Sequence, residues 1–252
     1  MSTIQAIVHG ASGRMGHAVL AACDDRDDLE VLAAVARNPQ SSRLLTLDEV
    51  RGGADVLIDF SLPAGLDRAL EWCLHNNTAL VSGTTGLSDE QQQKLRDAAD
   101  RIPVLWAANM SLGANLLLEL ASRAARQLGL DADVEISDAH HRYKRDAPSG
   151  TALSLGRAIA SARQQDFGQA ANFDRTSKPG RRVAGEIGFS VTRAGDIPGN
   201  HSVLFGLDGE QLELSHSASS RDCFARGAVA AAAYLAGQSA GLYQMADVIA
   251  GN

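Results

Sequence analysis

The sequence predicts an α/β protein in which a Rossmann-like, doubly wound parallel sheet is combined with an α+β domain that has a mixed sheet. Three observations lead to this class. Short β-branched runs alternate with helical patterns through the first 110 residues. After residue 128 strand-like runs dominate, with one strong helical pattern among them. A glycine-rich turn follows directly on the first strand-like run.

The first region has the alternation of strands and helices that is typical of βαβ units. Apolar, β-branched runs predict strands at Ile4–Val8, Glu30–Ala36, Val56–Phe60, Ala79–Val81 and Val104–Trp106. Helical periodicity predicts helices at Arg14–Ala22, Ala64–His75 and Asp89–Ala99, the last preceded by the capping-box sequence Ser88 to Gln91. These helices would cover both faces of a parallel sheet.

The second region begins with a long helix and continues mainly with strands. The helix is predicted at Leu112–Leu128, a second one at Thr151–Arg163, and strands at Val134–Ser137, Glu186–Arg193, Ser202–Phe205 and Gln211–Ser217. The polar connection Gln164–Ala184 is predicted to be a mobile loop. An alanine-rich helix, Phe224–Ala236, is predicted to close the chain and to pack on the first domain. The expected domains are therefore 1–111 with 221–252, and 112–220.

Composition excludes several classes of function. A net charge of −7 gives no overall attraction for nucleic acid. Cys23, Cys73 and Cys223 are odd in number and far apart, which favours buried thiols over a disulfide framework or a metal site. The sequence begins without a signal-peptide pattern, and its longest apolar run, 228–236, is too short to cross a bilayer. We expect a cytoplasmic protein with neither nucleic-acid nor membrane partners.

The glycine-rich turn has a spacing that suits a dinucleotide. Gly10 permits a tight turn, Gly13 lets the backbone approach a pyrophosphate, and Gly16 lets helix and strand pack closely. Such a turn can also be a plain connection, but its place between the first strand and the first helix favours cofactor binding.

The residue that reads the cofactor's ribose is expected about 20 positions after these glycines. The sequence there is Ala36-Arg37. A carboxylate for the 2′-hydroxyl of NADH is missing, and an arginine that could bind the 2′-phosphate of NADPH is present. We therefore expect NADPH to be preferred, with NADH as the other candidate, unless Arg37 is merely a solvated charge.

The stretch His140–Thr151 concentrates groups for proton transfer and anion binding. It has five basic side chains within its first six positions, and Pro148 to Thr151 then open a helical pattern. Lys144 is informative because only three of the 23 lysines and arginines are lysine, and an ammonium has a more tunable pKa than a guanidinium. The alternative is a solvated basic turn that caps a helix.

With these motifs the chain resembles the dihydrodipicolinate reductase family over nearly its whole length. The matching stretches are Gly10–Gly16, Asp59–Pro63, Ser82–Gly86, Ala107–Ser111, His140–Thr151, Gly185–Phe189 and Arg193–Ile197, with His201, His216 and Arg221. The chain departs from the family at Ala36, where an acidic residue is frequent, and at Met110, where phenylalanine is common.

The resemblance implies reduction of 4-hydroxy-tetrahydrodipicolinate to tetrahydrodipicolinate with NADPH or NADH, in the diaminopimelate route to lysine. It implies that domain 1–111 with 221–252 binds the dinucleotide, and that domain 112–220 binds the dicarboxylate substrate and forms a homotetramer. By motif, His140 donates the proton and Lys144 holds a carboxylate, while His141, Gly150 and Thr151 bind substrate. The implied cofactor-binding residues are Gly10, Ala11, Ser12, Gly13, Arg14, Met15, Arg37, Gly83, Thr84, Thr85, Ala107, Ala108, Asn109 and Met110; no metal is implied.

Two other functions are compatible with the first domain. One is a different nicotinamide-dependent reductase of small dicarboxylates, similar to aspartate dehydrogenase; the other is a non-catalytic NADP-binding sensor. The sensor would leave His140 and Lys144 without a role. We expect His201 and His216 to be ordinary strand residues, and we assign no chemistry to His9 or His17.

Overall fold

The structure is a computed structural model, and it describes residues 3–39, 44–177 and 180–251. The chain divides into two compact units, Met1–Leu112 with Arg221–Asn252, and Gly113–Ser220. Lys178 and Pro179, part of the predicted loop, lie outside the described residues. Within the described part, no helix has the length and apolar character needed to cross a membrane.

The first unit contains a six-stranded parallel sheet. Numbered in chain order, its strands are β1 (Ile4–His9), β2 (Leu29–Val35), β3 (Val56–Asp59), β4 (Ala79–Ser82), β5 (Pro103–Trp106) and β11 (Gly241–Tyr243). Their spatial order is β11-β5-β4-β3-β1-β2, and every pairing is parallel. The order reverses direction between β1 and β3, the place where open α/β sheets bind ligands at the carboxyl ends of their strands.

Helices cover both faces of this sheet, as predicted. They are α1 (Arg14–Asp24), α2 (Pro63–Asn76), α3 (Asp89–Ala98), α7 (Asp222–Leu235) and α8 (Met245–Ala250), with a 3-10 turn at Leu47–Glu49. One apolar cluster joins the sheet to α1, α7 and α8, and the other joins it to α2 and α3. The expectation that the alanine-rich helix closes the chain is wrong, because β11 and α8 follow it.

The second unit has a five-stranded mixed sheet. Its elements are α4 (Leu112–Leu128), β6 (Asp133–His140), α5 (Gly150–Ala162), α6 (Phe167–Ala170), β7 (Ala171–Asn172), β8 (Ile187–Arg193), β9 (Gly199–Leu207) and β10 (Glu210–Ala218). The strand order is β10-β9-β6-β8-β7. The pairs β6–β8 and β7–β8 are parallel, whereas β6–β9 and β9–β10 are antiparallel. The predicted combination of a parallel and a mixed sheet is confirmed.

Two local predictions in this unit are wrong. The expected mobile loop Gln164–Ala184 contains α6, whose first turn is capped by the Asp166 side chain through a bond from the Gln169 N–H, and β7, which pairs with β8. Strand β6 continues three residues beyond Ser137, the predicted end, to His140. Polar side chains concealed β7 and the end of β6, because these segments are held by hydrogen bonds to neighbouring strands.

Candidate active site

Strand β6 places a carboxylate and an imidazole on the same face of the second sheet. Asp138 and His140 are two residues apart, and side chains at that spacing point to the same side of a strand. The strand register sets Asp138 opposite His201 on β9 and His140 opposite Arg193 on β8. The sheet therefore gathers one acid, two imidazoles and one guanidinium at the carboxyl end of β6.

These four side chains form a buried polar cluster. Asp138 Oδ1 lies 2.8 Å from His140 Nδ1 and 3.5 Å from His201 Nε2. Asp138 Oδ2 accepts a hydrogen bond from a terminal nitrogen of Arg193 at 3.0 Å. The exposed fractions of Asp138, His140 and His201 are 1%, 8% and 5%, so water screens these charges weakly.

The cluster fixes the charge of two of its members. Burial alone would raise the pKa of Asp138, but the contacts from His140, Ser149 and Arg193 outweigh it and hold that pKa well below its usual range. Burial, together with the charge of His140, lowers the pKa of His201 to about 4. At neutral pH Asp138 is therefore a carboxylate and His201 is uncharged.

The same carboxylate also holds the start of α5. Ser149, the N-cap residue, donates its N–H to Asp138 Oδ2 at 2.8 Å. Its Oγ accepts from the Ala152 N–H and lies 3.2 Å from His201 Nε2. Gly150 and Thr151 form the first turn of α5, where helix amides and the helix dipole favour an anion. The structure thus brings the predicted proton donor and the predicted anion-binding turn to one acid.

The loop between β6 and α5 contains the other predicted residues. The Lys144 N–H donates to the His141 carbonyl in a tight turn, and Lys144 Nζ lies 2.9 Å from Asp146 Oδ1. Burial acts to raise the pKa of Asp146, but the hydrogen bond and the charge of Lys144 lower it. Arg142 and Arg145 are exposed. Lys144 is therefore already paired with an acid, whereas the two arginines face solvent.

The donor atoms of Asp138, His140 and His201 lie within 4.8 Å of one another, and these residue types can bind a metal ion. However, the guanidinium of Arg193 lies 3.0 Å from the carboxylate and would repel a cation. The Ser149 N–H occupies the same oxygen. These two contacts make the cluster less suited to a cation, and the absence of a metal remains a prediction.

In the first unit the glycines allow the tight turn and the close packing of helix and strand that the motif predicts. Gly10 has a φ of +80°, and a Cβ there would lie 2.5 Å from the Phe60 carbonyl. A Cβ at Gly16 would lie 2.2 Å from the Gly10 carbonyl. Gly13 is the N-cap of α1 and, like Ser12 and Arg14, is exposed. The open helix start therefore fits a dinucleotide phosphate.

The remaining predicted cofactor residues follow strands of the same sheet. Gly83 is needed because a Cβ there would lie 2.2 Å from the Phe60 ring. Arg37 is exposed two residues after the end of β2. The other members differ in exposure: Thr85 and Ala108 are exposed, Met15, Ala107 and Asn109 are partly buried, and Ala11, Thr84 and Met110 are buried. The buried residues pack inside the unit and support the loops, so their side chains are less available to a cofactor than the exposed ones. The cofactor contacts of all these residues remain predictions.

A buried acid beneath these loops had no role in the sequence analysis. Asp59, at the end of β3, accepts hydrogen bonds from the hydroxyls of Ser82 and Thr84, and His9 Nδ1 lies 2.8 Å from it. Burial would raise the pKa of Asp59, but the bonds from His9, Ser61 and Thr84 lower it. Asp59 thus ties together the ends of β1, β3 and β4. The feature of the sequence that could have pointed to this residue is an acid directly after the apolar residues Val56, Leu57 and Ile58.

The sequence matches two models of one family. "Dihydrodipicolinate reductase, N-terminus" matches residues 4–110, and "Dihydrodipicolinate reductase, C-terminus" matches residues 113–249. The chain belongs to the dihydrodipicolinate reductase family. This confirms the predicted resemblance, and membership in this family of dinucleotide-binding reductases implies NAD(P)H as the reductant.

Relatives in this family align over nearly their full length. The 4-hydroxy-tetrahydrodipicolinate reductase of Pseudomonas fluorescens Pf-5 is 45% identical, over 96% of this chain and 97% of the relative. That of Zymomonas mobilis is 43% identical, over 98% of both chains. The solved dipicolinate-bound dihydrodipicolinate reductase from Paenisporosarcina sp. TG-14 has a TM-score of 0.79 and 25% identity, over 96% and 97% of the two chains. GenD2 in complex with NAD, with a TM-score of 0.62 and 13% identity over 99% and 91%, shares the fold.

Proposed function

We propose that this chain reduces 4-hydroxy-tetrahydrodipicolinate to tetrahydrodipicolinate in the diaminopimelate route to lysine. In the balanced reaction the substrate, NAD(P)H and one proton give tetrahydrodipicolinate, NAD(P)⁺ and water. The observation that carries the proposal is the link that Asp138 makes between His140 and Ser149. Through this link the proposed proton donor lies close to a helix start that suits a substrate carboxylate. Relatives in the family are named for this activity.

His140 supplies the proton in this reaction. Loss of the 4-hydroxyl group as water leaves an unsaturated ring. When bound, the reduced nicotinamide supplies a hydride to that ring, and the neighbouring carbon then takes a proton. The imidazole of His140 is held with Nδ1 2.8 Å from the carboxylate of Asp138. The neutral His201 does not compete for that proton near pH 7.

Lys144, His141 and the first turn of α5 hold the dicarboxylate. The helix start offers the amides of Gly150 and Thr151 to one carboxylate, and Lys144 provides a positive charge on the preceding loop. His141 is partly buried on that loop. The Paenisporosarcina structure contains dipicolinate, an aromatic dicarboxylate, which supports a ligand of this class.

A direct assay tests the proposed activity. NADPH oxidation is followed at saturating cofactor with the freshly generated condensation product of pyruvate and aspartate semialdehyde, and we expect turnover. Oxaloacetate with ammonia is the control for an aspartate-dehydrogenase-like enzyme. Turnover in the control alone would replace the proposal by the aspartate-dehydrogenase-like reductase. Tight NADPH binding without turnover of either substrate would replace it by the non-catalytic sensor.

NADPH is proposed as the preferred cofactor. Ala36 is buried and has no carboxylate to bind a ribose hydroxyl, while Arg37 is exposed and carries the charge that a 2′-phosphate attracts. Arg37→Ala should raise the KM for NADPH about 10-fold, the loss of one charged hydrogen bond, and leave the KM for NADH within about twofold. The exposed Arg51→Ala is the matched control. Equal KM changes for both cofactors would contradict the assignment.

The proposed enzyme is a cytoplasmic homotetramer that binds neither nucleic acid nor membranes. The net charge of −7 supports the absence of a nucleic-acid partner, and the tetramer is an implication of the family resemblance. Sedimentation equilibrium of the purified protein distinguishes the tetramer from smaller assemblies.

A further inference from the structure

Asp138 contacts His140, His201, Ser149 and Arg193, but the reaction as described does not say which nitrogen of His140 transfers the proton. We infer that Asp138 is a positioning residue, which holds Nδ1 of His140 so that Nε2 is the nitrogen that transfers the proton. The inference rests on the proposed function for its kinetic consequences. Its geometric content, which nitrogen faces the acid, can be measured without substrate.

The two nitrogens of His140 have different surroundings. Nδ1 is buried and lies 2.8 Å from Asp138 Oδ1. Nε2 lies beside Gly199 on β9, where a Cβ would approach it to 3.0 Å. Glycine at 199 therefore leaves space at Nε2, whereas the acid occupies the side of Nδ1.

The two oxygens of Asp138 are divided between separate partners. Oδ2 accepts from Ser149 N and Arg193, so these bonds fix the plane of the carboxylate. Oδ1 has no hydrogen bond with acceptable angles among the described residues, and neither has His140 Nδ1. The two atoms are close enough to bond, and a small rotation of the imidazole would align its N–H. Asp138 thus presents Oδ1 to His140 Nδ1 at 2.8 Å, with His201 Nε2 farther from the same oxygen at 3.5 Å.

The charges around His140 come from four other elements and from its own strand. Asp138 is the nearby acid on β6, and Arg193 lies on β8. His201 on β9 packs edge-on against the His140 ring at 5.2 Å. His216 on β10 and Lys144 on the loop also act on His201. Among these groups Asp138 is the carboxylate that lies within hydrogen-bond distance of a His140 ring nitrogen.

The test compares Asp138→Asn with Asp138→Glu, and uses Asp208→Asn as the matched control, since Asp208 is exposed on the turn between β9 and β10. Two quantities are measured: kcat at neutral pH, and the ring nitrogen of His140 that carries the proton, which is read from the nitrogen NMR shifts of the imidazole in the cofactor-free enzyme. Circular dichroism and the KM for NADPH check that each variant is folded.

Asp138→Asn should lower kcat about 10-fold at neutral pH and should reduce the population in which Nδ1 carries the proton, because the amide no longer offers a carboxylate to that nitrogen. Asp138→Glu keeps a carboxylate that can accept from Nδ1 but displaces the ring, so kcat should fall while the wild-type tautomer is retained. The Asp208→Asn variant should match the wild type in both measurements.

An unchanged His140 tautomer in Asp138→Asn would overturn the inference, whatever happens to kcat. A changed tautomer with wild-type kcat would also overturn it, since the orientation of the ring would then not matter to the proton step. If Asp138→Asn does not fold, a changed tautomer in Asp138→Glu decides against the inference, and an unchanged tautomer with reduced kcat supports it. Absence of turnover in the wild type would refute the proposed function alone, because the tautomer measurement still tests the geometry.

Discussion

Replacing His140 by glutamine should lower kcat by about 100-fold or more, the range in which removal of a general acid reduces turnover. Glutamine approximates the size of the imidazole and can still face Asp138, but it carries no transferable proton near neutral pH. The KM for NADPH should stay within about twofold, since the cofactor loops lie in the other unit. Steady-state kinetics at saturating NADPH, with substrate generated in situ, measures both quantities.

The control for this variant is His75→Gln, which changes an exposed histidine near the end of α2. It should leave kcat and both KM values unchanged. Because His140 is buried beside Asp138 and His201, a melting curve is needed for the glutamine variant. A folded His140→Gln enzyme with wild-type turnover would remove His140 from the proton step, and would shift attention to another acid on the loop.

Local patterns allowed much of the first unit to be predicted. The glycine turn works through neighbours a few residues apart, so its motif is visible in the chain, and the structure has Gly10, Gly13 and Gly16 in the expected positions. The five strands predicted in this unit all occur there. Strand β11 escaped prediction because its three residues are held by pairing with β5, a contact between segments about 140 positions apart.

The polar cluster of the second unit could be predicted only in part. His140 stands out in a basic stretch, but Asp138 is two positions earlier, in a segment too polar to suggest a strand. Its importance comes from the register, which brings His201 and Arg193 to it from positions more than 50 residues away. His201 is a strand residue, as expected, yet it also lies against the ring of His140. The alternation of Asp138 and His140 along one face was the available signal.

Lys144→Ala should lower kcat/KM for the dicarboxylate substrate by about 100-fold or more, because the variant loses both carboxylate binding and stabilisation of the charge that develops in the reaction. The structure adds a competitor for this ammonium: Asp146 Oδ1 lies 2.9 Å from Lys144 Nζ. Substrate must therefore either replace Asp146 or share the ammonium with it. Lys144→Arg should restore less than a tenth of the lost activity, since the planar guanidinium cannot occupy the position of a compact ammonium.

Asp146→Asn separates these two ways of binding substrate. If substrate replaces Asp146, removal of the acid's charge should lower the substrate KM about threefold, as the ammonium no longer needs to exchange partners. If the substrate carboxylate and Asp146 share the ammonium, the substrate KM should change little and kcat should fall, because Asp146 then helps to orient Lys144. Full activity in the folded Lys144→Ala variant would rule out both arrangements. Lys94→Ala, at an exposed lysine on α3 that pairs with Glu90, controls for the loss of a positive charge as such.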